Sequence, residues 1–303
     1  MQREGILSRC NYISSRGAFM KRNILKYVLT LTFFLGIALL LYPFVSDYIN
    51  SRNQSEVVQN YQKTVNQIDD SRKEEILRQA EEYNRLLADT DGAFYDPNLV
   101  EGYMETLDIT GTGIMGYVNI DKINLELPIY HSVSQDVLQI AVGHLPGTSL
   151  PVGGTGTHTV LSGHRGLPRA RLFSDLDKLE IGDRFTITVL SEVFTYQVEQ
   201  IKTVEPYEVD DLQLEPGKDL CTLFTCTPYG INTQRLFVRA KRVPNDYRTE
   251  RRIYYTSEAY RVAPAIVAPI IAIPVLLLLY VFMLLSERRK RRRKRLIKNI
   301  HQD

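Results

Sequence analysis

The chain has 303 residues, 44% of them hydrophobic, and a formal net charge of +2. That length holds one sizeable globular domain together with membrane segments; the sequence has no internal repeats and no phosphate-binding glycine loop, which excludes repeat arrays and P-loop nucleotide enzymes. The small net charge is the remainder of an uneven distribution: residues 1–26 carry +5, residues 287–303 carry +7, and the stretch between them carries −10.

Basic ends around an acidic middle predict two cytoplasmic tails and an external domain. Residues 1–23 read as a polar, basic, poorly ordered tail. Residues 24–45 are apolar apart from Lys26 and two threonines, long enough to span a bilayer, with Lys21, Arg22 and Lys26 marking the inner end. No small-residue cleavage site follows Leu41, because Tyr42-Pro43-Phe44 is bulky, so an uncleaved anchor is preferred to a cleaved signal peptide. Residues 46–90 are polar. Val58, Tyr61, Val65 and Ile68 recur at steps of three and four, and Leu77, Tyr83 and Leu87 do so more loosely, which predicts one or two amphipathic helices forming a stalk packed on the domain. Residues 91–112 open with a breaker-rich loop, Asp91 to Asn98.

From residue 113 to 243 the pattern is β. Short strands are predicted at 116–120, 124–130, 157–162, 183–190, 194–204, 220–226 and 235–241, with short helices at 136–142 and 169–176, a mostly β arrangement that fits a closed barrel. Residues 244–261 form a charged connector. Residues 262–285 form a second apolar span that tolerates Pro264, Pro269 and Pro274, and 286–303 form a basic tail. A run of eight consecutive Lys/Arg at 288–295 is of a kind that binds nucleic acid; beside an apolar span it reads instead as a topology determinant in contact with anionic membrane lipid, and no nucleic-acid partner is expected.

Three cysteines are present. Cys10 lies in the basic tail. A Cys221–Cys226 disulfide is excluded by geometry, since five residues of extended strand separate Cα atoms by about 16 Å against a limit of about 7 Å. Their odd spacing also places them on opposite faces, so Cys221 is read as a small core residue and Cys226 as an unpaired thiol outside the cell. Residues 222–239 read as strand, tight turn, strand, with Pro228, Gly230 and Asn232 as turn formers. Cys226 ends the first strand and Arg235 starts the second, so antiparallel pairing lets both face one small volume, where a guanidinium stabilises a thiolate and a developing oxyanion. A third group, His164, lies in a Gly-flanked turn after the apolar strand 157–162. Nucleophile, proton carrier and anion stabiliser are thus present. A zinc site built on His158, His164 and the two cysteines is rejected because the spacings form no compact ligand set; no metal or cofactor is expected.

These motifs carry a resemblance. Thr225-Cys226-Thr227-Pro228-Tyr229 with Asn232-Thr233 and Arg235, Leu161-Ser162-Gly163-His164-Arg165-Gly166-Leu167-Pro168, and Leu127-Pro128-Ile129-Tyr130-His131 with Gly143-His144-Leu145 resemble the sortases, most closely the pilus-assembling class C sortases, over about residues 115–242 and in the membrane layout. The resemblance implies an eight-stranded sortase barrel with N-terminal helices and two flanking transmembrane helices. It implies Cys226 as nucleophile, His164 as proton carrier and Arg235 as oxyanion stabiliser, with His131 and His144 structural. The implied substrate is a Leu-Pro-x-Thr-Gly sorting signal, cleaved between Thr and Gly through a thioester, with a lysine of the next pilin subunit on a Gram-positive surface as acceptor. It also implies a lid: Asp96 and Pro97 match the Asp-Pro-aromatic lid, Asn98 stands where the aromatic is usual, Tyr95 or Phe94 is available to supply the ring, and Asp96 is expected to pair with Arg235. The competing functions are a sortase that anchors proteins to a cell-wall amine, a surface cysteine protease, and a catalytically silent membrane scaffold.

Overall fold

The computed structural model describes residues 3–167, 170–245 and 280–281. It divides into two units, residues 1–45 with 259–303 and residues 46–258. Helix α1 (Arg3–Gln67) begins far earlier than the anchor expected from the sequence. Residues 3–23, read as an irregular tail, contain no proline, and the helix meets its only internal proline at Pro43. Within α1 one segment is long and apolar enough to cross a membrane, and its side chains at Leu31, Leu35 and Leu39 are exposed, which is compatible with membrane anchoring. The second expected span, at 262–285, and the basic tail after it lie outside the described residues apart from Tyr280 and Val281.

In the second unit, the last turns of α1 and helix α2 (Asp70–Asp89) cover the barrel. The break between them is set by Asp69, whose carboxylate accepts from the Arg72 amide at 2.8 Å and starts α2. Val58, Tyr61 and Val65 are buried on α1, and Ile76, Ala80, Tyr83, Asn84 and Leu87 on α2, one apolar stripe on each helix. Buried polar contacts help fix the docking. The Tyr61 hydroxyl donates to Met115 O at 2.9 Å and accepts from the Leu190 amide at 2.8 Å. The buried Asn84 amide donates to Leu150 O and accepts from Leu150 N, so burial leaves neither end unpaired.

The sheet is a closed barrel in the order β1-β2-β3-β4-β7-β8-β6-β5. Its strands are β1 (Ile114–Ile120), β2 (Leu125–His131), β3 (Val142–His144), β4 (Thr157–Ser162), β5 (Arg184–Val189), β6 (Glu192–Val204), β7 (Asp219–Thr227) and β8 (Gln234–Arg242). Two pairings, β2 with β3 and β4 with β7, are parallel; the rest are antiparallel. The eight-stranded, mostly β barrel with N-terminal helices is therefore present. The strand absent from the sequence reading is β3, whose three residues are too short for an alternation to register. It occupies the end of the stretch expected to be helical at 136–142, where α3 covers only Gln135–Leu138. The helix expected at 169–176 is a 3-10 turn at Leu172–Lys178.

Leu127, Ile129, Val142, Leu161, Cys221, Leu223, Val238 and Ala240 fill the interior. Cys221 is fully buried as a small core residue, and burial pushes its thiol well up. His131 and His144 are buried against backbone. The His131 ring nitrogens meet Gly113 O and Thr106 O, both at 2.9 Å, and His144 Nε2 meets Ser149 O at 2.8 Å while its Nδ1 meets the Tyr103 hydroxyl at 3.0 Å. Burial lowers the His144 pKa to about 4 from an ordinary 6.5, and that of His158 in the same direction. Because the unfolded chain binds the proton more readily, this stability is complete above pH 6.5 and drains away as pH falls toward 4, by about 3 kcal/mol for His144. Urea denaturation of the protein at pH 7.0 and 4.5 should show this slope, and His144→Asn should flatten it; equal midpoints at both pH values would count against the account.

Candidate active site

β7 and β8 form a hairpin, and its register sets Cys226 directly opposite Arg235. Directly opposed residues share a face, so the Cys226 and Arg235 side chains leave the hairpin on the same side. The face is the outer one: Leu223 points into the barrel, while Phe224, two residues before Cys226, pairs with Phe237 on the outside with ring centroids 5.9 Å apart. The connecting turn contains a cis Thr227–Pro228 peptide, amides of Ile231 and Asn232 donating to Pro228 O at 3.1 and 2.9 Å, and Asn232 in the left-handed region at φ 61°. Cys226 and Arg235 are both half-buried, and Cys226 is a free thiol. The Arg235 Nη1 donates to Asn232 O at 3.4 Å and Gln234 O at 3.1 Å.

His164 reaches the same edge through the parallel pairing of β4 with β7, which aligns Ser162 with Phe224. The alignment continues past the end of β4. The Gly163 amide donates to Phe224 O at 3.2 Å and the Thr225 hydroxyl donates to Gly163 O at 2.7 Å, so His164 comes next to the Cys226 position. Gly163 is required here: a Cβ would sit 2.7 Å from the Phe173 ring. His164 is half-buried, and desolvation lowers its pKa below the ordinary 6.5, favouring the neutral imidazole. The three candidates singled out from the sequence thus share one barrel edge.

The sortase-domain family model matches residues 118–243. Sortase D of Bacillus subtilis strain 168 is 32% identical over 131 residues, covering 42% of this chain and 63% of that protein. The chain thus spans somewhat under two thirds of that curated relative's length in the match. Among solved structures, sortase C1 of Streptococcus agalactiae is 49% identical with a TM-score of 0.58, covering 63% of this chain and all of that one. The chain belongs to the sortase family. Sortase C of Streptococcus pneumoniae, 46% identical with a TM-score of 0.58 over 63% of this chain and 97% of that one, is a second relative of the same class.

In this sortase the 91–98 loop lies on the outer face beside the site, but not as the sequence suggested. Asp96 is exposed and its carboxylate accepts from the amide and side chain of Asn98 at 3.2 and 3.0 Å, capping the 3-10 turn Pro97–Leu99. The expected Asp96–Arg235 ion pair is not formed; a local amide two residues on satisfies the carboxylate instead. Asn98 serves this cap and replaces no ring. Phe94 packs with Leu145, Val209 and Phe224 against the cluster of Val160, Val204, Leu212 and Phe237. Tyr95 stacks edge-on against Phe94 at 5.1 Å, and its exposed side chain accepts from Gln213 Nε2 at 2.9 Å. Gly147 lies under the loop, where a Cβ would come within 2.8 Å of Ala93 O and Phe94 O.

Proposed function

We propose that this sortase is a membrane-anchored cysteine transpeptidase that polymerises pilin subunits carrying Leu-Pro-x-Thr-Gly-type sorting signals. The observation that carries the reading is the direct opposition of Cys226 and Arg235 across β7 and β8, with His164 delivered to the same edge by β4. The Cys226 thiolate attacks the threonine carbonyl, and the oxyanion that forms is stabilised by Arg235. His164 gives a proton to the departing glycine amine, leaving an acyl thioester on Cys226. The ε-amine of a pilin lysine then attacks, His164 takes its proton, and the Cys226 thiolate leaves as the isopeptide forms. The named Streptococcus pneumoniae relative has been described in terms of pilin substrate specificity, which supports the choice of acceptor. The apolar part of α1 holds the enzyme at the cell membrane; with the span at 262–285 as a second anchor, the barrel is extracellular and both termini are cytoplasmic. Mass spectrometry of the purified ectodomain with a sorting-signal peptide and a candidate pilin tests this. An isopeptide-linked product is expected. A hydrolysed peptide alone would identify a protease, and a product joined only to a cell-wall peptide amine would identify an anchoring sortase.

The 91–98 loop, including Tyr95, Asp96 and Pro97, acts in this reading as a lid over the groove leading to Cys226. A lid mutant of the Streptococcus agalactiae sortase C1 is among the related structures. Since Phe94 rather than Asp96 enters the outer cluster, Phe94→Ala should accelerate alkylation of Cys226 by about tenfold, a loss of ~1.4 kcal/mol that is well below the cost of emptying a core site. Asp96→Ala should have a smaller effect. Equal labelling rates in wild type and Phe94→Ala would refute lid closure by this ring.

A further inference from the structure

The imidazole of His164 makes no hydrogen bond to another described residue, whereas a general base ordinarily has a third group that fixes its direction. Its backbone also lies two residues beyond the last paired residue of β4. What holds the turn is Arg165. Its side chain is 8% exposed; Nη1 donates to the Thr227 hydroxyl at 3.1 Å, and Nη2 pairs with Asp177 at 2.6 Å. Thr227 is the residue after Cys226, so one planar guanidinium ties the histidine turn to the end of the cysteine strand. The clamp is closed from both sides. The Phe173 amide donates to His164 O at 3.1 Å, the Gly166 amide donates to Ser174 Oγ at 3.0 Å, and the Tyr229 ring lies under Gly166 and 5.8 Å from the Arg165 guanidinium carbon.

A purely stabilising role accounts poorly for this group. Among the described residues Arg165 Nε, which is buried, has no hydrogen-bond partner, and the guanidinium's one carboxylate partner is 47% exposed. A buried cation with an unsatisfied donor seldom stabilises a fold relative to an apolar residue. We infer that Arg165 is a positioning residue: it sets the distance and direction of the His164 imidazole relative to the Cys226 sulfur by bridging Thr227 and Asp177. The inference rests on the reaction proposed above. Lysine at this position keeps the charge but presents a single ammonium, which does not span both partners as the fork does.

The test is a double-mutant cycle of Arg165→Lys and Thr227→Val in the ectodomain, read by transpeptidation of a sorting-signal peptide. Each single variant should lower kcat by about tenfold to a hundredfold, the scale of a displaced catalytic group, with KM within about twofold. The double variant should lose little more than either single, since both remove one link. The pH profile of Cys226 alkylation should shift in Arg165→Lys while the melting temperature holds. Wild-type kcat in Arg165→Lys, additive losses in the double variant, or an unshifted alkylation profile alongside lost activity would each overturn the inference. Should Arg165→Lys fail to fold, Thr227→Val, which removes one hydroxyl, decides alone by its kcat. Inactive wild-type enzyme would instead count against the proposed reaction itself, which separates the two failures.

Discussion

Cys226→Ala should abolish transpeptidation, with a loss of about 10⁴-fold or more and no covalent acyl-enzyme detectable by mass spectrometry. The change removes one sulfur from a half-buried position at the end of β7 that takes part in no disulfide, so the fold should be untouched. Circular dichroism and melting temperature should match the wild type, and the peptide should still bind, since only one sulfur is lost from the outer face. The contrast isolates chemistry from structure. A non-catalytic scaffold would retain its function in this variant, so pilus ladders persisting in cells that carry only Cys226→Ala would defeat the enzymatic reading.

Arg235→Ala should lower kcat by about 10²–10³, the usual loss when one preorganised donor to an oxyanion is removed. The register supports a large effect, because Arg235 is the cross-strand partner of Cys226 itself and leaves the hairpin on the face where the oxyanion, two bonds from the sulfur, would develop. The Nη1 atom is occupied by the Asn232 and Gln234 carbonyls, which fixes the plane of the fork; among the described residues Nε and Nη2 have no protein acceptor. Arg235→Lys should recover only part of the loss, since an ammonium is neither planar nor held by those two carbonyls. Full activity of Arg235→Lys in steady-state kinetics would show that charge alone suffices, and unchanged kcat in Arg235→Ala would remove Arg235 from the mechanism. His164 adds a pH signature. Its pKa lies below the ordinary 6.5, so a step that needs the imidazolium should weaken as pH rises through a value below 6.5.

The cysteine–arginine pair was legible in the sequence because it is local. Nine positions separate the two residues, and the turn formers between them leave few hairpin registers, so their opposition follows from the chain's own punctuation. The interior position of Cys221 follows from the same alternation. His164 is different. Its Gly-flanked turn marked it as a candidate, but its approach to Cys226 depends on the parallel pairing of β4 with β7 across 62 residues, and parallel pairing leaves no local mark. The lid expectation failed in its detail for the reverse reason. Asp96 has a local solution in the Asn98 amide, which wins over a long-range ion pair whose two charges are partly solvated. Arg165 was passed over because nothing in its neighbourhood in the sequence distinguishes a buried bridging guanidinium from a surface one.

The sequence by itself determined what depends on neighbours within a few residues: the strands and their turns, the amphipathic stripes of α1 and α2, the apolar stretch in α1, and the hairpin that pairs Cys226 with Arg235. Only the tertiary structure decided which distant segments meet: β3 as a three-residue strand closing the barrel, Phe94 as the ring on the outer face, and Arg165 joining the histidine turn to Thr227. Local preferences act through backbone dihedrals and the spacing of apolar side chains, which the sequence carries directly. Contacts between distant segments are settled by competition among many possible partners, and that competition is resolved only when the whole core packs at once.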